Sequence, residues 1–128
     1  MSDKFTVEII SPEKTILKQE TNEVVIPSFE GQMGILNNHI PLITFLRPGI
    51  ITIKAEDEKK FYVEEGTVEF SNNNLLILTS TAGDLANLDK NKINDLLQKA
   101  EANLNTLSTD KERYVASYKL ETLKEISQ

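Results

Sequence analysis

Residues 74–100 read NLLILTSTAGDLANLDKNKINDLLQKA, and the period of their hydrophobic residues changes partway along. The run NLLILTS is short, aliphatic and closed by turn residues, as a strand is. Beyond it, Ile93, Leu96, Leu97 and Ala100 recur at helical spacing, and Leu104 and Leu107 extend the same stripe. Asp89 stands just ahead of that stripe. Its carboxylate can accept from the free amides of a first helical turn while meeting the positive end of the helix dipole, so it is the expected N-cap. A sheet ends and a helix begins within this segment.

On the N-terminal side the period stays near two. FTVEIIS, ILKQE, NEVVIP, GIITIK, KFYVEE and TVEFS are rich in Val, Ile, Thr and aromatics. The separators are turn chemistry: Ser11-Pro12-Glu13-Lys14, Arg47-Pro48-Gly49, the charged AEDEKK tip and Asn72-Asn73-Asn74, where Asn tolerates the left-handed backbone of tight turns. Short strands spaced in this way predict an antiparallel sandwich or barrel. On the C-terminal side, LSTDKER breaks the stripe, and Thr109 with Glu112 has the spacing of a capping box. A second helix follows, with Tyr114, Val115, Tyr118, Leu123 and Ile126 on its apolar face. Two amphipathic helices on a short link form an antiparallel hairpin. The fold class is therefore α+β, with a β-sandwich domain over 1–86 and a helical hairpin over 87–128.

Composition narrows the function. Hydrophobic residues make up 39% and charged residues 27% of 128, ordinary for a folded globular chain. No apolar run approaches the roughly 20 residues that cross a bilayer, and MSDKFTVEIISPEK lacks the features of a signal peptide. With no cysteine and one histidine, disulfides and thiolate metal sites are excluded and little remains for zinc chemistry. The net charge of −6 lies entirely in residues 1–86, which hold seven Lys/Arg against thirteen Asp/Glu; residues 87–128 hold seven of each. Such a surface repels phosphate backbones, which points to proteins rather than nucleic acid as partners.

Catalytic constellations are weak. His39 could be imagined as a base with Ser80 and Asp84, but the serine has no nucleophile elbow around it. Glu64 and Glu65 are adjacent on a strand and so point to opposite faces, while Glu56-Asp57-Glu58 reads as a solvated tip. Gly31 and Gly34 complete neither a dinucleotide fingerprint nor a Walker motif. The segment from Pro27 to Gly49 nevertheless gathers the histidine, three of four prolines and three of five glycines. Glycine permits close approach and left-handed turns, and proline fixes direction, so this segment is suited to bends and to presenting an edge.

EGQMGILNNHIPLITFLRPGIITI resembles the signature E-G-x-x-G-I-x-x-x-H-x-P-L-x-x-x-L-x-P-G-x-x-x-I of the epsilon subunit of the F-type ATP synthase. Glu30, Gly31, Gly34, Ile35, His39, Pro41, Leu42, Leu46, Pro48, Gly49 and Ile53 fall in step, and the likeness extends through TVEIISPEKTIL and LTSTAGDLANLD to essentially the whole chain. It implies about ten strands followed by the hairpin, and a non-catalytic rotor subunit of the central stalk without a cofactor. Its partners would be the gamma subunit and the c ring, with the alpha and beta subunits reached when the hairpin extends. By the resemblance, Glu30, Gly31, Gln32 and Met33 meet the c ring, Gln32 departing from the usual acid there, while Ser11, His39 and Thr44 meet gamma. The family's ATP motif is degenerate: Leu88-Asp89-Lys90-Asn91-Lys92-Ile93 keeps Asp89, has Lys92 for a forked Arg and bulky Ile93 for a small residue. A different reading is a free-standing sandwich that senses nucleotide or binds a small ligand. No Arg/Ser-rich segment precedes Phe5, so the expected location is the cytoplasmic face of a bacterial plasma membrane, peripheral through the complex.

Overall fold

The computed structural model describes residues 4–104, 106–107 and 109–127; Asn105 and Ser108 of the interhelical link lie outside these. Strands β1 (Phe5–Ile10), β2 (Thr15–Thr21), β3 (Glu23–Ser28), β4 (Gly31–Leu36), β5 (Leu42–Leu46), β6 (Gly49–Lys54), β7 (Glu58–Val63), β8 (Gly66–Ser71), β9 (Asn74–Leu78) and β10 (Gly83–Asp84) come first. A single 3-10 turn at Leu85–Asn87 leads to α1 (Lys90–Leu104) and α2 (Asp110–Ser127).

The strands hydrogen-bond in the order β10-β7-β6-β3-β5-β8-β9-β1-β2, with β4 on β3. β3 lies beside β6 through Glu23, Val24 and Val25, but touches β5 only at Ser28↔Leu46, and there the sheet folds from one layer to the other. All pairs are antiparallel except β1 with β9, which run parallel from Thr6↔Asn74 to Ile10↔Leu78. Alternation places one side of each strand inside: Phe5, Val7 and Ile9 of β1, Val24 and Ile26 of β3, Ile51 and Ile53 of β6, Phe61 and Val63 of β7, Val68 and Phe70 of β8, and Leu75 and Ile77 of β9 form one buried cluster. At about 1.5–3 kcal/mol for each fully buried large aliphatic or aromatic side chain, this cluster is the main force holding the sandwich together. At the fold between layers Gly49 is obligatory, because a Cβ there would stand 2.5 Å from Pro27 Cβ.

Each helix starts where its cap stands. Asp89 Oδ1 accepts from the Asn91 amide at 3.0 Å while the Ile93 amide donates to the Asp89 carbonyl at 3.0 Å. Thr109 Oγ1 accepts from the Glu112 amide at 3.1 Å, one half of a capping box. A second cluster of Tyr62, Ala100 and Leu123, flanked by Leu85, Leu88, Leu96, Leu97, Leu120 and Ile126, seals the helices to each other and to β7. Tyr62 makes this possible because Phe61 and Val63 face the sandwich core and Tyr62, between them, faces out.

Candidate functional site: interaction surfaces

The sequence candidates for catalysis are each occupied elsewhere. His39 lies in the β4–β5 loop, its Nδ1 2.7 Å from the Ile40 carbonyl oxygen and its ring edge-on to Phe70 with centroids 5.9 Å apart. Ser80 donates its hydroxyl to Glu65 Oε1, and Asp84 caps the 3-10 turn by accepting from the Ala86 amide at 3.0 Å. No hydrogen bond joins these three among the described residues. Glu58 at the charged tip pairs with Lys60 at 3.7 Å, both half-exposed. Asp89, the remnant of the nucleotide motif, uses its carboxylate as a helix cap; Lys92 is exposed and Ile93 is buried.

The hairpin covers the outer face of β6 and β7. There Tyr62 donates its hydroxyl to Glu64 Oε2 at 3.0 Å, and Lys119 Nζ stands 3.3 Å from the same oxygen. Burial, reinforced by the charge of Glu64, pushes the Tyr62 hydroxyl far above the ordinary tyrosine range, so it remains a donor. Arg47 of the β5–β6 turn lies over the Tyr118 ring, 3.8 Å from its centroid, and Phe29 stacks on Tyr114 with centroids 5.8 Å apart at 19°.

The opposite layer is bare. On the outer face of β5, β8 and β9, Ile43 is 75% exposed, Phe45 59% and Leu78 44%, with Ile40 in the adjoining loop at 74%. Register puts Phe45, Thr67 and Leu78 in one row across these strands and Ile43, Glu69 and Leu76 in the next, and a groove of about 600 Å³ opens at the first row, walled by Phe29, Phe45, Thr67 and Leu78 together with the charged Glu65 and, from α2, Lys111. Ser11 adjoins the face at the Leu78 end, in the β1–β2 turn, where its amide donates to the Lys14 carbonyl at 2.9 Å. His39 adjoins the other end, ahead of Leu42. Thr44, the third residue expected to meet gamma, turns inward and is 6% exposed, because alternation along β5 gives the outer face to Ile43 and Phe45. The missed signal was the strand LITFL itself, apolar on both faces, which an outer face in water does not require.

At the end of the sandwich, Glu30 sits in the tight β3–β4 turn. Ser28 Oγ donates to the Gly31 carbonyl at 2.7 Å and accepts from the Glu30 amide at 3.2 Å, and Gly31 takes φ 118°, which a side chain would strain. Glu30 and Gln32 project into solvent, whereas Met33 packs against the core and leaves the tip to its neighbours.

A sandwich with one outer face sealed by its own helices and several large hydrophobic side chains exposed on the other has the features of a protein–protein interaction module. Residues 4–84 match the family model described as ATP synthase, Delta/Epsilon chain, beta-sandwich domain. Among curated relatives, the ATP synthase epsilon chain of Pelagibacter ubique is 48% identical, with 99% of this chain and all of that one covered. The epsilon chain of Dichelobacter nodosus is 38% identical over 79% of this chain and 72% of its own. This chain therefore belongs to the ATP synthase delta/epsilon chain family. A chain in the cryo-EM structure of Euglena gracilis mitochondrial ATP synthase, OSCP/F1/c-ring in rotational state 1, shares the fold at a TM-score of 0.81 and 21% identity, covering all of this chain and 84% of that one.

Proposed function

We propose that this chain is the non-catalytic epsilon subunit of a rotary ATP synthase, which joins the gamma subunit to the c ring in the central stalk and rotates with them. The observation that carries the reading is the exposure of Ile43 and Phe45 on β5 and Leu78 on β9, flanking the polar outer row of β8 on an otherwise acidic sandwich, since large apolar side chains grouped on a surface mark a docking site. Gamma packs on Ile43, Phe45 and Leu78, with Ser11 and His39 at the two ends of that face. The c ring meets the tip formed by Glu30, Gly31 and Gln32, where one carboxylate remains for the cationic groups of the ring's loops. Among the described residues no helix is long and apolar enough to cross a membrane. In this reading the chain is held by these partners at the cytoplasmic face of a bacterial plasma membrane.

Copurification tests the proposal. Tagged chain should carry alpha, beta, gamma and c subunits out of detergent-solubilised membranes, and Phe45→Glu should abolish this by placing a charge in the groove while the core stays intact. Wild-type chain recovered alone would favour the free-standing ligand-binding module instead.

A further inference from the structure

Phe29 occupies an unusual position. It is the first residue of the β3–β4 turn, immediately before Glu30, yet it also forms a wall of the apolar groove beside Phe45 and Leu78. Its ring is stacked on Tyr114 of α2, 85 residues further along the chain, and the Tyr114 hydroxyl reaches the Phe29 carbonyl at 3.5 Å. The backbone around it is tied into one corner: the Phe29 amide donates to the Phe45 carbonyl at 3.2 Å and the Arg47 amide to the Pro27 carbonyl at 3.0 Å. Four residues on from Tyr114, and therefore on the same side of the helix, Tyr118 lies under Arg47 of that corner, and the two tyrosines touch edge to face at 4.8 Å. Helix α2 thus grips both turns of the corner through one aromatic seam. The remainder of its docking falls on β6 and, through Leu123 and Lys119, on β7 and its exit.

We propose that Phe29 couples the position of the helical hairpin to the β3–β4 turn and the adjoining groove, so that a hairpin leaving the sandwich loosens the turn and removes support from one groove wall. The physical basis is that an aromatic ring 39% exposed at a turn tip has little else to hold it. With Tyr114 in place the ring is fixed between helix and groove, and the turn is fixed with it. Without Tyr114 the turn keeps its backbone and Ser28 hydroxyl hydrogen bonds but loses the one aromatic contact that ties it to the helix. Linkage is reciprocal: whatever hairpin docking adds to the order of the turn, an ordered turn adds to hairpin docking. A partner seated on the turn or in the groove therefore favours the docked hairpin. That last consequence rests on the contacts given under Proposed function, whereas the coupling itself belongs to the isolated chain.

Residue-resolved amide hydrogen exchange on the isolated full chain tests it. Tyr114→Ala should speed exchange at the Phe29, Glu30 and Arg47 amides by about two- to tenfold, the range expected for losing one aromatic pair. Tyr114→Phe, which retains the stack and loses the hydroxyl, should behave as wild type. The amides of Val7 and Ile77, in the sandwich core, should not change. In the reciprocal experiment Phe29→Ala, a surface truncation, should speed exchange in α2 by a comparable factor. Turn amides indifferent to Tyr114→Ala would overturn the coupling, as would acceleration spread equally over Val7 and Ile77, because the effect would then be global. The copurification result above bears on the partners and leaves this measurement untouched, so either reading can fail without the other.

Discussion

Replacing Leu123 by alanine should release the hairpin and leave the sandwich standing. Leu123 is 1% exposed and sits in the cluster with Tyr62 and Ala100, whereas the sandwich cluster contains none of these residues. A buried Leu→Ala change costs about 2–5 kcal/mol. The helices have little to set against that loss. At 15 and 18 residues they are close to the length, about 12–15 residues, below which isolated helices are marginal in water. Asn91, Asn94 and Asn103 inside α1 each cost roughly 0.6 kcal/mol relative to alanine, together nearly 2 kcal/mol. Packing is thus what keeps the helices formed. Thermal melts followed by far-ultraviolet circular dichroism, with amide protection of Val7 and Ile77 as the sandwich probe, should show Leu123→Ala losing helical signal in a separate transition at lower temperature. The sandwich transition should move by only a few degrees. A single transition in which helical and sandwich probes shift together would refute the reasoning, because the two clusters would then be one cooperative unit.

Reversing the charge of the tip by Glu30→Lys with Gln32→Lys should lower proton pumping in reconstituted vesicles more than ATP hydrolysis, by setting like charges against the ring's basic groups; equal pumping at normal assembly would remove the tip from the coupling contact. The folded chain raises the Tyr62 hydroxyl pKa above its unfolded value of 10.0, so the docking it supports is present in full below about pH 10 and is lost as pH rises beyond it. Helical signal should therefore fall between roughly pH 10 and 12 in wild type, and Tyr62→Phe should flatten that slope; an identical slope in the variant would place the titrating group elsewhere. With Asp89 committed to its cap and Ile93 buried, the isolated chain should bind ATP no more tightly than the millimolar range, about −4 kcal/mol, and a micromolar site found by calorimetry would contradict this.

The features legible in the sequence are those whose causes lie within a few residues. The change of hydrophobic period between Leu78 and Ile93 separates sheet from helix because side-chain direction repeats every two residues in one and every 3.6 in the other. Asp89 and Thr109 mark the helix starts because the amides they satisfy are two and three residues away. Which strand lies beside which is a different matter. The parallel pairing of β1 with β9, nearly the whole sandwich apart in sequence, and the Ser28↔Leu46 contact where the layers join depend on burying one common core, which no local pattern encodes. The same holds for the interaction surface. Strand LITFL is apolar on both sides, and only the registry of β5 on β8 decides that Thr44 goes in while Ile43 and Phe45 stay out. The amphipathic faces of α1 and α2 announced a hairpin, but its seat on Tyr62, and the stacking of Tyr114 on Phe29, were set by the tertiary structure, because a helix's apolar stripe records that it must be covered and says nothing about what covers it.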